Sequence, residues 1–509
     1  MKKLLLLLLP LTGYSNTYYV TTTGVDYGPG DRTTPWGSIA YAVGYNTPAR
    51  DGDTIYVQAG TYAKPVSIQK DGITLIGYTN EPGDLSFTDF PASVDPSIFP
   101  VLDGGNRANG RSGFDIRGKA GIVIRNFQIT GYSYAFNAWG SQSITLDNVH
   151  AYSPGDINAS YSGRGIQFGS WGSSHDNYDN IIRNCSIENS AAEGITVIGY
   201  RNSIINCKVT CDRGATVNEA TDYYILVGGN NNIIERCYVE RIGDLKHSGH
   251  GITLKWKATG NIVKDCRAVN MKGEGFAVRH AGVTHNRFIN CTATGGVGFA
   301  VRDGASYNVF EDCLADGCKY AYRLFDTSEE GTQYAGRHNV FDGCTVSNAY
   351  IGVWFDDYDQ KTPADSNTWR GCTFDKVDYL FGVYRDAPDN AFDSCTVTNC
   401  KSYSAGSKVL GAAWKCSKFS GNSFADPEQY PCDQIIQIDP VDTAVIHVDP
   451  DTIMQVFKPG YITIEAETIE DFNLKCSDME ELGFRPLFAV GIIVSENKKL
   501  YVQQWAAEK

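Results

Sequence analysis

The chain has 509 residues with a formal net charge of −14, 42% hydrophobic residues and 20% charged residues. This composition supplies enough apolar side chains for a large core, so intrinsic disorder is not indicated. The acidic balance argues against nucleic acid as a partner. Aromatic residues make up 12% of the chain, including 30 Tyr, and offer many flat faces for stacking on sugars or peptides.

The N-terminal sequence MKKLLLLLLPLTGYSN contains two lysines, a short leucine run and then small and polar residues. The apolar run is too short to span a bilayer, and this order is typical of an export signal. We therefore expect residues 1–16 to be a signal peptide and the mature protein to be secreted or extracytoplasmic. No later stretch has the composition of a membrane span.

Residues 17–62 predict a strand, a Gly/Pro loop, a short helix and another strand. The segment from Trp36 to Tyr45 can be amphipathic, with Ile39 and Val43 on one face. The open end of a repeat protein exposes strand edges and apolar core. We therefore expect this segment to form a helical cap.

A six-residue pattern recurs along the middle of the chain: Asn, any residue, an apolar residue, two further residues, then Cys. Successive cysteines of the pattern are 22 to 31 residues apart, which is the spacing of a solenoid with loops of variable length. The pattern ends at nine cysteines: Cys185, Cys207, Cys237, Cys266, Cys291, Cys313, Cys344, Cys372 and Cys395.

The alternation inside each repeat favours strands over helices, because the apolar residue and the Cys point the same way with charged residues between them. We therefore predict an all-β fold, a right-handed parallel β-helix over residues 17–425. Each turn should place its Asn at a bend and its Cys inside, so that stacked turns build an Asn ladder and a Cys ladder. Stacked cysteines are spaced too widely for disulfides, so we expect buried thiols.

The amino-acid composition changes from about residue 430, where Gly and Asn become rare and the repeat is lost. Acidic, β-branched runs follow, with a helical pattern near Asp478 to Leu482. We expect residues 430–509 to form a C-terminal cap or a small α+β extension.

The strands that precede the six-residue pattern can be aligned from turn to turn. In this alignment GITLKW at 251–256 matches the corresponding strands of later turns. Three outward columns of polar side chains emerge, and such columns are where a β-helix would hold a substrate. The columns are Lys255, Arg279, Arg302, Phe325 and Asp356; Trp256, His280, Asp303, Asp326 and Asp357; and, just before the strands, Glu193, Asp222, His250 and Glu274.

These columns suit β-elimination at a uronic acid. That reaction needs a base for the C5 proton and a cation that neutralises the neighbouring carboxylate. We expect Lys255 to be the base, because stacked cations lower the proton affinity of a lysine, and Arg279 to be the neutraliser. His280 is a second candidate for acid or base.

Neighbouring side chains of the same columns are expected to bind the polysaccharide, with Arg302 gripping an adjacent sugar carboxylate. The expected substrate-binding residues are His250, Trp256, Arg302, Asp303 and Asp326. A calcium ion is a possible cofactor, and the carboxylates expected to hold it are Glu274, Asp356 and Asp357. In the alternative, the aspartates only form ion pairs with Arg279 and Arg302.

The N-terminal pattern of residues 17–62 and the turns that follow resemble the pectate-lyase-like β-helix superfamily over residues 17 to about 425. The superfamily includes polysaccharide lyases, polygalacturonase-type hydrolases, alginate epimerases and phage tailspikes. Because one fold serves several activities, the resemblance implies the fold and leaves the activity open.

Two lyase families within it offer closer comparisons. Residues 260–278 look like the calcium-binding stretch of polysaccharide lyase family 9. At the positions that match the family's calcium ligands, only Glu274 could supply an oxygen ligand. The position of that family's lysine base corresponds to the region of Ala300, where this chain has no lysine. Lys255 and Arg279-His280 resemble polysaccharide lyase family 6, in which a Lys on one turn and an Arg on the next perform the chemistry.

Two other functions stay open. A glycoside hydrolase is one, since Gly249-His250-Gly251 is similar to the GHG of polygalacturonases and Glu193, Asp222 and Glu274 could supply paired carboxylates. A non-catalytic glycan-binding or structural β-helix is the other. In each case we expect a monomer that acts on or binds an acidic polysaccharide and does not span a membrane.

Overall fold

The computed structural model describes residues 15–427, except 88, 107–109, 156–162, 170–176, 215–218, 328–334, 358–363, 384–386, 388 and 406–412. Beyond residue 427 it describes only short strands. The expected signal peptide lies almost entirely outside these ranges. No helix in the described ranges is long and apolar enough to cross a bilayer.

Most of the described chain coils into a parallel β-helix, as predicted. Two walls of the coil form one 28-stranded sheet, because the strands on either side of each ladder Cys pair with their counterparts one turn away. Its strands are Thr17–Val20, Thr54–Gln58, Gly60–Tyr62, Thr74–Tyr78, Pro100–Asp103, Val123–Thr130, Thr145–Tyr152, Ile181–Arg183, Ser186–Glu188, Ser203–Ile205, Lys208–Cys211, Ile233–Glu235, Tyr238–Arg241, Ile262–Lys264, Arg267–Val269, Arg287–Ile289, Thr292–Thr294, Val309–Glu311, Leu314–Asp316, Val340–Asp342, Thr345–Ser347, Thr368–Arg370, Thr373–Asp375, Ala391–Asp393, Thr396–Thr398, Ala413–Lys415, Lys418–Ser420 and Gln429–Tyr430.

The third wall is a separate 13-stranded parallel sheet, in which each strand pairs with the strands of the previous and next turns. Its strands are Val66–Ser67, Ser112–Asp115, Tyr134–Asn137, Arg164–Phe168, Glu193–Tyr200, Tyr223–Asn230, His250–Thr259, Glu274–Arg279, Val297–Arg302, Tyr320–Asp326, Ile351–Asp357, Tyr379–Val383 and Ser402–Ala405.

One continuous apolar core fills the coil between these walls. Phenylalanine rings stack along it from turn to turn, as Phe276 does on Phe299 with ring centroids 5.0 Å apart. All nine cysteines of the repeat lie in this core as free thiols, which confirms the Cys ladder. Their thiols donate to backbone carbonyls of the same or the preceding turn, as Cys266 does to Ile234 at 3.7 Å.

The Asn ladder is also confirmed. Asn261 Oδ1 accepts from the backbone N and the side-chain Nδ2 of Asn232, at 2.8 and 2.9 Å. Its own Nδ2 donates to Gly229 O at 2.9 Å and to Asn286 Oδ1 at 2.8 Å. The ladder therefore satisfies buried backbone groups at every bend, which fixes the height of each turn.

The helical cap predicted for residues 36–45 is wrong, because the described helix spans only Ile39–Ala42. Ser38 caps its N-terminus by accepting from the Tyr41 backbone N–H. Trp36 lies before the helix in a β-bridge with Val20 and stays in the core. The first turn is thus closed by a strand-like segment and a single helical turn.

The chain divides into two compact units, Met1–Gln434 and Ile435–Lys509. In the second unit, Gln504–Ala507 pairs antiparallel with both Ile462–Thr463 and Phe484–Pro486, and Gly491–Ser495 pairs antiparallel with Lys498–Val502. The helix expected near residues 478–482 lies outside the described residues.

Candidate functional site

Polar side chains concentrate on the outer face of the 13-stranded sheet, where alternation along each strand decides what points out. In Glu274–Arg279 the side chains of Phe276 and Val278 enter the core, whereas Ala277 belongs to a small separate cluster outside it. Arg279 is two residues beyond Ala277 and therefore points outward as well. Arg279 pairs in register with Arg302, as the column alignment predicted.

Tyr223 lies at the centre of this face and keeps 9% of its surface exposed. Its hydroxyl accepts a hydrogen bond of 2.5 Å from Arg279 Nη1, and the Lys255 Nζ lies 5.5 Å from its ring centroid. Its ring stacks on His250 with centroids 4.9 Å apart. Burial raises the pKa of Tyr223 despite the nearby Arg279 charge, so the phenol stays protonated near neutral pH. Because Arg279 fills an acceptor site of the oxygen, the phenolic proton can be donated elsewhere.

His250 is oriented by two carboxylates. Its Nδ1 contacts Glu274 Oε2 closely, and its Nε2 lies 3.7 Å from Asp222 Oδ1. Glu274 also accepts from Arg302 Nη1 at 3.1 Å through its other oxygen. Burial alone would raise the pKa of Glu274, but His250, Arg302 and Arg279 together hold that pKa below its ordinary value. Glu274 is therefore a fixed anion.

A loop between two strands adds a second histidine. His247 Nδ1 lies 3.0 Å from Asp222 Oδ1. The contact with Asp222 raises the pKa of His247, and partial burial opposes it. The loop is held from below by buried Arg241, which donates to Gly243 O at 2.9 Å and to Leu245 O at 2.7 Å.

Lys255 and Trp256 are half-exposed, and the backbone bulges at this point. Gly228 pairs with Lys255 and Asn230 pairs with Thr259, so the strand at Lys255 carries two extra residues. Trp256 has a left-handed backbone with φ of 54°. A bulge of this kind redirects side chains, and here it places both residues at the edge of the polar cluster.

Several predicted site residues are buried, which differs from the expectation of a solvent-open set. Arg279 is 6% exposed and Arg302 is 5% exposed. Arg302 donates to Glu274, to Asp303 Oδ2 at 2.8 Å and to Thr327 Oγ1 at 2.9 Å. These contacts occupy the guanidinium groups, so the predicted roles of Arg279 as neutraliser and Arg302 as sugar grip do not fit this geometry.

The other three predicted residues are also covered. His280, Asp303 and Asp326 are all buried, so none of them offers a surface to a polysaccharide. Asp303 accepts from the Thr327 backbone N at 2.7 Å in addition to its contacts with arginine.

Of the three predicted calcium ligands, only Glu274 has a described side chain. No group of three or more His, Cys, Asp or Glu residues is placed to hold a metal ion within the ranges given above. Both oxygens of Glu274 contact cationic or histidine partners, and a divalent cation would be repelled by Arg302 and Arg279. The side chains of Asp356 and Asp357 lie outside the described residues.

Sequence reasoning missed both Tyr223 and His247. The third column placed Asp222 in register with Glu193 and His250, but in the structure Tyr223 holds that position. The column is therefore slipped by one residue at this turn. The signal was present in the sequence, since Tyr223 follows an acidic residue, His247 precedes the bulged strand and His250 begins it.

Arg323 is a further cation on this face. Its guanidinium lies 3.8 Å from the Phe325 ring centroid and 4.8 Å from that of Trp354. Both Arg323 and Trp354 are half-exposed, and Tyr320 packs against Trp354 with centroids 3.9 Å apart. An aromatic strip therefore continues from the cluster along the sheet.

The model of the right handed beta helix region matches residues 170–315 of this chain. No curated protein matches it in sequence. Among solved structures, the catalytic domain of a family GH87 alpha-1,3-glucanase in complex with nigerose is 12% identical with a TM-score of 0.41, covering 71% of this chain. The chain spans 64% of that domain, less than two thirds of its length.

Two further solved structures are similar at the same level. The A-module of a mannuronan C-5 epimerase from Azotobacter vinelandii is 11% identical with a TM-score of 0.38, over 74% of this chain and 91% of that module. A mannuronic acid specific polysaccharide family 6 lyase from human gut microbiota is 12% identical with a TM-score of 0.42, over 82% of this chain and 90% of that enzyme. The described fold and the family match agree on a right-handed parallel β-helix.

Proposed function

We propose that the protein is a secreted lyase that cleaves an acidic, uronate-containing polysaccharide by β-elimination. One observation carries the proposal: the phenol of Tyr223 is held by Arg279 beside the Lys255 amine and the His250 ring on one outer face. Proton-transfer groups of different kinds thus converge where a polymer lying along the sheet would pass.

The elimination removes one proton and supplies another. Lys255, as the neutral amine, takes the proton from C5 of the uronate, and the electron pair forms the C4–C5 double bond while the C4–O4 bond breaks. Tyr223 donates its proton to the departing O4, which leaves as a hydroxyl group of the released chain. Lys255 then holds the proton from C5, and transfer to solvent and back to Tyr223 restores both groups.

The charge that develops on the sugar carboxylate needs a cation at the exposed edge. His247 suits this role, since Asp222 raises its pKa and its side chain is partly exposed. Arg279 acts through Tyr223 by fixing the phenol, so we assign it as a positioning residue. Electrostatic support of this kind is worth most where water is partly excluded, as at this half-buried edge.

Two of the three candidate carboxylates, Glu274 and Glu193, disfavour a hydrolase. Glycoside hydrolysis needs one protonated carboxylic acid and a second, ionised carboxylate flanking the bond. Glu274 has a lowered pKa and is fully engaged. Glu193 is bound to Arg164 Nη2 at 3.0 Å and also accepts from the Thr196 hydroxyl. Neither therefore suits the role of general acid.

The proposed setting is extracytoplasmic, which the export-type sequence of residues 1–16 supports. The disulfide at Cys416 is in keeping with an oxidising compartment. We propose a monomer with the polysaccharide as its main partner.

Product analysis on a panel of uronate polymers tests the proposal. A lyase generates unsaturated ends that absorb ultraviolet light, in step with new reducing ends. Reducing ends without absorbance would instead identify a hydrolase. Binding without either product would identify a glycan-binding β-helix.

A further inference from the structure

A second site lies further along the coil, at the bends that lead into the later strands of the 13-stranded sheet. A cavity of about 620 Å³ opens there. Among the residues that line it are Lys319, Tyr350, Lys376, Asp378 and Lys401. None of them belongs to the Tyr223 cluster.

The cavity offers a flat aromatic face. Tyr350 is 47% exposed. Tyr379 meets it edge to face with centroids 5.4 Å apart, and this contact steadies the ring without covering both of its faces. Such a ring suits the apolar face of a pyranose.

The cavity is also locally cationic in a chain of net charge −14. Lys401 Nζ lies 2.6 Å from Asp378 Oδ1 and Lys376 Nζ lies 3.7 Å from Asp375 Oδ2. Lys319 Nζ lies 5.0 Å from the Tyr320 ring centroid. The charged residues that line the cavity are three lysines and one aspartate, whereas Asp375 and Asp316 lie outside the lining and accept hydrogen bonds from its asparagines. Exposed ion pairs are weak, so a sugar carboxylate can compete for these ammonium groups.

The register connects this cavity to the Tyr223 cluster. His250 pairs with Glu274, and two turns further on the same column holds Tyr320, the residue after Lys319. Turns are about 4.8 Å apart, so the lysine edge begins roughly 10 Å along the coil from Glu274. The rings of Tyr320 and Trp354, with centroids 3.9 Å apart, belong to the same turns as Lys319 and Tyr350.

We propose that this cavity, lined by Lys319, Tyr350 and Lys401, is a distal subsite that binds a carboxylated sugar unit of a polysaccharide extended along the sheet. The assignment of its ligand rests on the proposed function. The subsite holds the chain several turns from the reacting bond. It therefore raises affinity for long oligosaccharides and contributes nothing to the bond-breaking step.

Calorimetric titration tests this subsite apart from catalysis. The probes are six-unit oligogalacturonate and oligomannuronate, with neutral cellohexaose for comparison, and the protein is Lys255→Ala so that no probe is cleaved. Adding Lys319→Ala and Tyr350→Ala should weaken binding of one of the acidic probes about fivefold to tenfold. Adding Tyr45→Ala and Lys64→Ala, two exposed positions in the first turns, should leave affinity unchanged.

The outcomes separate the two proposals. Acidic probes that bind and lose affinity in the Lys319/Tyr350 variant support the subsite even if no uronate polymer is ever cleaved. Equal affinity in the two variants overturns the subsite even if elimination is observed. Cellohexaose binding as tightly as both acidic probes would overturn the assignment of a carboxylated ligand.

Discussion

Arg279 reaches back across two turns of the β-helix to donate a 2.5 Å hydrogen bond to the phenol of Tyr223. The sequence columns correctly place Arg279 on the outer face, but its guanidinium ends on a protein side chain. This contact changes its role from binding the substrate to holding an acid.

Replacing Arg279 should therefore affect turnover more than substrate affinity. We expect Arg279→Ala to lower kcat by about 100-fold, the lower end of the range for a lost acid–base group, with KM changed little. Tyr223→Phe should give a similar loss. Steady-state rates of unsaturated product measure both. If Arg279→Ala instead raised KM alone, Arg279 would contact the substrate.

Gly273 provides a steric test of the histidine position. A Cβ at Gly273 would lie 2.6 Å from His250 Nδ1 and 2.7 Å from Gly249 O, closer than real contacts allow. Gly273→Ala should displace the His250 ring from Glu274 and lower kcat about tenfold or more. Gly28→Ala is the matched control, because a Cβ there meets only ordinary contacts of 3.5 Å and beyond. Equal activity in the two variants would show that the position of His250 is not important.

His150 makes stability depend on pH at a place remote from the site. Burial lowers the pKa of His150 from 6.5 to about 3, and its ring nitrogens contact Ser186 Oγ at 2.8 Å and Asn148 Oδ1 at 2.7 Å. Below pH 6.5 the unfolded chain binds a proton that the folded chain does not, so stability falls as pH falls from about 6.5 toward 3. The slope from this group approaches about 1.4 kcal/mol per pH unit.

Urea unfolding of the wild type and His150→Gln at several pH values measures this effect. The variant should be less stable at pH 7, and the gap should narrow as pH falls. If the unfolding free energies of the two proteins changed with pH in parallel, the pKa of His150 would be the same in the folded and unfolded states.

The Asn ladder should be a large source of local stability. Asn261→Ala removes the partner of Asn232 and leaves Gly229 O without its side-chain donor. Each buried group left without a partner costs about 1–3 kcal/mol, so we expect a loss of about 3 kcal/mol in urea unfolding. Asn46→Ala, at an exposed turn residue without a left-handed backbone, is the control and should cost less than about 1 kcal/mol. A similar loss of unfolding free energy in both variants would show that the Asn ladder does not stabilise the fold.

The fold could be predicted in detail because every repeat carries its own Asn and Cys, and both ladders lie where the pattern places them. The site could be predicted less well. A column gives the direction of a side chain but not what covers it, so Arg302 and Asp303 were expected at the surface and are buried. Tyr223 was missed because the sequence alignment was shifted by one residue at its turn. The alignment therefore assigned Asp222 to the position that Tyr223 occupies in the sheet.

The central claim is that Lys255 removes the proton that starts elimination. The most direct measurement is the initial rate of ultraviolet-absorbing product from a uronate polymer that the wild type cleaves, for Lys255→Ala beside Lys257→Ala, an exposed lysine two residues away. The account predicts that Lys255→Ala loses at least about 100-fold in rate while Lys257→Ala stays near wild type. An undiminished rate in folded Lys255→Ala would contradict it.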